Sequence, residues 1–536
     1  MKTVLTALNA RYSHSSLALR YLEKYNSNHN IKILEFSIND HLHSIFSELM
    51  EEKGDIYCFS CYIWNIEITM KLAEMIKTAF PHSIIVLGGP EVSYTAKEIL
   101  AKYPFTDIVI SGEGEEALSK MLSHIEQGLP LENMDIKGIN HRNCPVTFAP
   151  IMDLNSIPQP YTKEDIENLK GKIIYFETSR GCPFNCSYCL SSAENGVRPF
   201  PDEYVKKGLS LLFENNVPLV KLIDRTFNYN SKRAEEILKF ILENSKDTCV
   251  HMELEPRILT DEILHILSTA PLGKFQVEMG IQSANPETLK AIGRNYDFEK
   301  TVENIKKLMS FRNIHLHLDL IAGLPYEDYE SFGKSFDFVY KMRPHMLQLG
   351  FLKMLNGTKI SGDSNIKAAS FPPYEVISTK WLSATDIIKL KSVEDAVETF
   401  YNSGAFSKTI EKLTESSGFS VFEELGEFLD ALQKNGSIKR KDLYPLLYEK
   451  YGEEIRNELA EDFIINNKSI PLPEFVRPKR ERGFKDAVYN LMKTPEFCLK
   501  YQVTPDLTRL RFERMDGKAY MMDYKTNRLF DITKEL

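Results

Sequence analysis

Residues 172–190 read "KIIYFETSRGCPFNCSYCL". Ile173, Ile174, Tyr175 and Phe176 form a short apolar run of β-branched and aromatic residues, which reads as a buried strand. The run breaks into a loop shaped by Gly181 and Pro183 that carries Cys182, Cys186 and Cys189. Three thiols at Cys-x3-Cys-x2-Cys spacing let one loop wrap three corners of an iron–sulfur cube. A zinc site needs a fourth Cys or His, and the following "LSSAENGVRPF" offers neither. The metal ligands are therefore expected to be Cys182, Cys186 and Cys189, with one position left open.

Beyond this loop the same alternation repeats. "LVKLIDRT", "CVHMELE", "KFQVEMGIQS", "NIHLHLDLIAG" and "HMLQLGFLK" read as five further strands with helical segments between them, a pattern that predicts a partial (β/α)6 barrel over residues 166–360. Side chains two apart share a face of a strand. Tyr175 and Glu177 then fall together, as do His251, Glu253 and Glu255, Glu278 and Gln282, and His315, His317 and Asp319. Barrel interiors are usually filled by Val, Ile and Leu, so these polar faces predict a wet, functional interior. Leu254, Val277, Met279, Leu316 and Leu318 are left to pack against helices.

Ahead of the barrel, "TVLTALNA", "IKILEF", "DIYCFSCY", "SIIVLGG" and "DIVISGEG" read as five buried strands, with amphipathic helices such as 15–25 and 66–79 between them. Residues 1–135 are thus expected to form a Rossmann-like, doubly wound α/β domain with any ligand beyond the strand C-termini. A Pro-marked linker covers 136–165. Cys58 and Cys61 lie three apart on one strand and face opposite ways, which makes them buried thiols rather than a metal pair. After about residue 360 a mainly helical cap is expected, closed near the C-terminus by a β-hairpin turning at Asp516-Gly517.

The formal net charge of −9 and pI near 5.9 argue against a nucleic-acid surface, which needs clustered Lys and Arg. The run Arg477–Lys485, "RPKRERGFK", is interrupted by Glu481 and reads as a solvated loop. No apolar stretch approaches a membrane span. Eight cysteines in 536 residues do not suggest a disulfide framework, and a cytoplasmic location fits.

The cysteine motif, placed after the first strand of a six-strand α/β pattern, resembles that of the radical S-adenosylmethionine (SAM) superfamily. The resemblance implies a [4Fe–4S] cluster on the three cysteines and SAM chelating the open iron. It further implies reductive cleavage to a 5′-deoxyadenosyl radical that takes a hydrogen atom from the substrate, and an external electron donor such as flavodoxin or ferredoxin. Several positions are similar to those of oxygen-independent coproporphyrinogen oxidases. That similarity puts Glu253 of "MELEPR" at the SAM amino group, Gln282 and Ser283 of "GIQS" near the ribose and Arg294 toward the carboxylate. It puts Asp319 of "LDLIAGLP" at the ribose hydroxyls, Ile321 to Leu324, with Gly323, against the adenine, and Tyr188 leaning on that ring. "LIDRTF" stands where the family's Gly-Gly-Glu turn would be, so Asp224 is given no cofactor role.

A Rossmann-like domain before such a barrel resembles the cobalamin-binding class. The signature D-x-H-x-x-G is not matched, because "NDHLHS" puts His41 and His43 one and three places after Asp40; bound cobalamin stays open at this point. "LNARYSHSSLALRYL", "FSCYIWN", "LGGPEVS", "FNYNS" and "LIAGLPYEDYESF" together resemble a clostridial-type group that includes queuine lyases. Glu177, Glu255, Glu278, His315 and His317 remain as candidate catalytic residues. Crowded carboxylates raise one another's pKa unless a cation or donor lies between them. The pocket then suits a small amine-bearing molecule and neither an anionic substrate nor tRNA. The expected activity is a radical C–N lyase releasing an aminomethyl 7-deazaguanine from queuine; the alternative is a cobalamin-dependent radical SAM methyltransferase. A structural cluster in a binding module would leave the ribose and adenine positions unexplained.

Overall fold

A computed structural model describes residues 1–142, 144–193, 196–294, 298–434, 436–468, 470–476, 483–506, 508–515 and 517–536. Most of the run Arg477–Lys485 and Asp516 of the expected hairpin turn lie outside the described residues. The chain divides into two compact units, Met1–Asp328 with Gly350–Ala384, and Tyr329–Leu349 with Thr385–Leu536.

The first unit opens with strands β1 (Lys2–Asn9), β2 (Asn30–Ser37), β3 (Ile56–Ser60), β4 (Ile84–Gly88), β5 (Ile108–Ile110) and β6 (Ile139–Asn140). Their order is β2-β1-β3-β4-β5-β6. The first five pair in parallel, and β6 adds antiparallel to β5, a strand the sequence pattern does not announce. The two-residue period splits each strand between two cores. Val4, Leu8, Tyr57, Phe59 and Leu87 pack on one face with the helix Ile66–Ala79. Leu5, Ala7, Ile56, Cys58 and Val86 pack on the other with the helices Leu17–Tyr25 and Gly114–Glu126. Burial on both faces is what a doubly wound parallel sheet requires. It also removes Cys58 and Cys61 from water, and burial pushes the Cys58 thiol up to about 12.

The second sheet contains β7 (Ile174–Phe176), β10 (Leu219–Leu222), β11 (Cys249–Glu253), β12 (Phe275–Gln282) and β13 (His315–Ala322), with β14 (Met346–Phe351) next in the order. The printed register is parallel from β7 through β13. Val250, Met252, Val277, Met279, Leu316 and Leu318 are buried on the helix-facing side, as their alternation predicts. Between β7 and β10 the chain makes a hairpin of β8 (Ser179–Cys182) and β9 (Gly196–Pro199). The cysteine loop is therefore the inside of a small antiparallel ribbon rather than a free loop. Gly181 adopts φ of +90°, and a Cβ there would lie 2.2 Å from the Gly196 carbonyl oxygen, so only glycine lets the ribbon close.

Residues Ile366–Ala368 and Val376–Thr379 form another two-stranded ribbon, and it belongs to the first unit rather than to the helical region where the sequence boundary at 361 put it. Conversely, the helix Tyr329–Tyr340 belongs to the second unit. That unit is mainly helical, with Phe336 in ring contact with both Phe419 and Phe422. It closes with three antiparallel strands, Leu510–Met515, Lys518–Asp523 and Arg528–Asp531, one more than the expected hairpin. Among the described residues no helix is long and apolar enough to cross a membrane.

Candidate active site

Cys182 ends β8, and the chain turns on a Cys189 N–H to Cys186 C=O bond of 3.2 Å before Cys189 starts a 3-10 turn over Leu190–Ser192. The Cys182 thiol lies 3.7 Å from the Thr226 hydroxyl. Gly293 backs the loop: a Cβ there would come within 3.1 Å of the Asn185 carbonyl oxygen. Burial holds the Cys186 thiol above its ordinary pKa, with Cys182 and Cys189 pushing the same way and Arg294 opposing them. Three thiols close enough to disfavour one another's ionisation want a cationic centre, and iron supplies one.

Above the sheet the polar row is built as the alternation predicts, within the limits of the strands. Register places Glu253 opposite Glu278, Glu278 opposite His317, and Gly280 opposite Asp319. Burial pushes Glu253 up to about 7, opposed by the nearby cation Arg225. Asp319 is raised well above the carboxylate range by burial, then by Glu278 and Glu253. Its Oδ1 is buried without a hydrogen-bond partner, and so is Oε1 of Gln282. The orphaned amide oxygen of Gln282 and two buried acids, of which Asp319 has an orphaned oxygen, match a ligand bearing hydroxyl donors and an ammonium or sulfonium. SAM has all of these, so the residues fit it. Gln282 reaches this position through φ of +71° and a register shift after Gly280, not through simple parity with Glu278. A Cβ on Gly280 would lie 1.9 Å from Gln282 Nε2.

Arg294 donates from Nη2 to the Gly280 carbonyl at 2.8 Å and to Glu255 at 3.1 Å, and from Nη1 to the Tyr188 hydroxyl at 3.4 Å. Tyr188 and Arg294 thus sit together beside the cysteine loop. Gly323, at φ of +88°, lies against Val376 of the second ribbon. Its neighbour Ala322 accepts from the Leu352 N–H, so the Ile321–Leu324 backbone is fixed from the side that the ribbon covers.

Three expected roles change. Glu177 lies past the end of β7 and is no free acid: its carboxylate takes Arg180 Nε at 2.8 Å, and Arg180 also binds Glu113 at 3.1 Å and Glu115 at 2.7 Å. Arg198 joins Glu113 at 2.6 Å. Glu255 lies past the end of β11, caps the 3-10 turn Pro256–Ile258 and pairs with Arg257 and Arg294. Ser283, expected at the cofactor, is fully buried and donates to Glu327 at 2.6 Å. Parity was carried beyond strand ends in the first two cases. Asp224 accepts from Thr178 and Ser179, which fixes the start of β8 and gives the residue a structural task.

His315 and His317 remain in the interior row, their rings 4.8 Å apart. Burial, then His315 and His251, lowers His317 to about 4. Glu278 is held below its ordinary value, first by His251. Lys221, opposite Tyr175 and His251 in register, joins this row, and a lone Lys inside the apolar "LVKL" was its available signal. His14, from the loop after β1, packs edge-on against Tyr175 at 6.0 Å.

Residues 3–122 match the B12 binding domain family, 176–339 the Radical SAM superfamily, and 363–524 a family described as a protein of unknown function (DUF4080). The chain carries a radical SAM domain behind an N-terminal B12-binding domain. A [4Fe–4S] cluster and SAM are the cofactors of that domain, and the cysteine loop and orphaned acceptors agree with both. The chain is 26% identical over 358 residues to the uncharacterized methyltransferase PH0819 of Pyrococcus horikoshii, covering 64% of this chain and 77% of that one. It is 26% identical over 299 residues to the cobalamin-dependent radical SAM methyltransferase TokK of Streptomyces tokunonensis, covering 52% of this chain but only 44% of TokK. The fold is similar to that of the cobalamin-dependent SAM radical enzyme OxsB, with a TM-score of 0.62, 14% identity, and 87% and 79% of the two chains covered.

Proposed function

We propose that this radical SAM protein is a cobalamin-dependent methyltransferase acting on a small polar molecule held in the barrel interior. The observation that carries the reading is the tie between the B12-binding domain and the cysteine ribbon through Arg180, Glu113 and Glu115. It sets the strand C-termini of one domain beside the mouth of the other. There Tyr62 and Trp64 stack at 4.3 Å, with Trp64 still 45% exposed, and Trp64 and Asn65 both donate to the Leu8 carbonyl. Gly89, at φ of +114°, would place a Cβ 2.5 Å from the Cys61 carbonyl oxygen. Gly89 thus lets the β4 end pack on the Cys61 backbone, and the aromatic plane beyond it suits a flat corrin ring. His41 and His43 are exposed on the first turn of a neighbouring helix, and neither matches the signature of a cobalt ligand.

When bound, the cluster with SAM supplies hydrogen-atom abstraction, and methylcobalamin supplies a transferable methyl group. The chain's own residues do the rest. Glu253 and Asp319 accept from the amino and ribose groups, and Arg294 holds the carboxylate.

A second reading, a C–N lyase on an aminomethyl deazaguanine such as queuine, is favoured by the ionised Glu278 in the interior row, which suits a protonated secondary amine. One experiment separates the two. Anaerobically reduced, cluster-reconstituted protein is supplied with hydroxocobalamin, SAM and queuine. Methyl transfer gives one corrinoid per chain and S-adenosylhomocysteine alongside 5′-deoxyadenosine; lysis gives 5′-deoxyadenosine and the aminomethyl base without retained corrinoid. Absence of any SAM cleavage overturns both.

A further inference from the structure

Three adjacent strands bring a second set of metal-ligating atoms together, away from the cysteines. His251 on β11, Glu278 on β12 and His317 on β13 each offer one ligand atom, and these atoms all lie within 4.8 Å of one another. Nε2 of His251 is 3.3 Å from Oε2 of Glu278, yet off the line of a hydrogen bond, and Nδ1 has no partner either. The ring is only 5% exposed, so water does not satisfy it. A buried polar group left without a bond is destabilising, and a coordinate bond removes that cost. The His251 and His317 rings meet edge-on, with centroids 5.9 Å apart at 64°, so they do not stack.

We propose that His251, Glu278 and His317 bind one divalent transition-metal ion, separate from the iron–sulfur cluster, with its remaining coordination positions open to the barrel interior. Two imidazoles and one carboxylate on one side of an ion form the donor set of open catalytic zinc and non-haem ferrous sites. Lys221, opposite His251 in register, adds a positive charge to the same row and limits the site to a single ion. A ligand completing the site would carry two neighbouring oxygen or nitrogen donors, as an α-amino or α-hydroxy acid does. The site does not depend on the methyltransferase reading, because SAM cleavage reports on that separately.

The test uses the full chain with its cluster reconstituted. Protein is dialysed anaerobically against zinc buffered with nitrilotriacetate, and zinc and iron are counted by mass spectrometry. One zinc per chain is expected beyond the cluster iron. His251→Ala, His317→Ala and Glu278→Gln should each weaken it at least about tenfold, the low end of what even an outer-shell change costs, whereas His315→Ala retains it. Equal iron content in the variants reports that they fold. Should a variant lose its iron, X-ray absorption at the zinc edge of the wild-type protein decides instead: nitrogen and oxygen scatterers are expected, and sulfur at about 2.3 Å would place the zinc on cysteines and overturn the site. Failure to bind stoichiometric zinc also overturns it and leaves the three side chains to meet the substrate directly.

Discussion

Arg294 is pinned by Glu255, whose carboxylate takes the guanidinium at 3.1 Å while the Gly280 carbonyl takes the same nitrogen at 2.8 Å. Glu255 thereby aims the cation beside the cysteine loop. Breaking a buried ion pair from one side costs about 3–5 kcal/mol. Glu255→Gln is expected to raise the Kd for SAM by about tenfold or more while iron content stays unchanged. Calorimetric titration of SAM against the reconstituted variant checks it, and an unchanged Kd would remove Glu255 from this role.

Each of Cys182→Ala, Cys186→Ala and Cys189→Ala deletes one corner of the cluster. All three variants are expected to lose the broad absorption near ~400 nm that thiolate-ligated iron–sulfur clusters give, and with it 5′-deoxyadenosine formation. Retained SAM cleavage in any of the three would contradict the radical chemistry.

Glu253, pushed by burial up to about 7 in the ligand-free chain, must be ionised to accept an ammonium group. Above about pH 7 the carboxylate is already charged and SAM affinity is level. Below it, binding releases a proton, and affinity falls toward tenfold per pH unit. Glu253→Gln should bind weakly at every pH, with a flat profile. Titrations between pH 6 and 8.5 in two buffers of different ionisation enthalpy reveal the proton release.

Arg180 is shared by Glu177, Glu113 and Glu115, so its removal strands the buried Glu177 and Glu115, while Arg198 still holds Glu113. Arg180→Gln is expected to destabilise the first unit by several kcal/mol, about 3–5 by analogy with other broken buried pairs. Arg180→Lys should recover little, because an ammonium cannot reproduce a planar fork of donors. Thermal unfolding followed with and without reconstituted cluster measures both.

In the second unit Asp462 is fully buried and accepts from Thr409 N–H and hydroxyl at 2.8 Å each. Burial still raises it to about 6, above the ordinary aspartate value, so folding favours its protonated form. Its contribution is greatest below the unfolded value near 4 and declines as pH rises from about 4 to 6. The stability difference between wild type and Asp462→Asn should shift by about 2–3 kcal/mol over that interval. Urea unfolding at pH 4.5 and 6.5 tests it, and a constant difference would refute the shift.

How far the sequence could be read depended on where regular strands persist. His251, Glu253, Glu278, His315, His317 and Asp319 lie within β11 to β13, and alternation alone placed them on one face. Glu177 and Glu255 stand just beyond strand ends, where alternation stops applying and arginine contacts set the direction. No periodic rule foretells the left-handed residue at Gln282, because the register shift follows from Gly280 yielding its side-chain space. The doubly wound domain was legible because both faces are buried, leaving near-continuous apolar runs. The antiparallel β6 was not, for two residues carry no period. The β8–β9 ribbon escaped notice for a similar reason: Ser179–Cys182 has no apolar alternation and is held by backbone pairing and Asp224.

The ribbon that begins at Ser179 has a consequence for how such a protein can change over generations. Arg180 and Cys182 are two places apart on the same short strand, and Arg180's partners Glu113 and Glu115 belong to the other domain. The B12-binding domain is therefore not a detachable accessory. A chain cut ahead of residue 166 would leave Arg180 with Glu177 alone of its three acids. Exchange of one domain for a relative's would succeed only if both acids came with it.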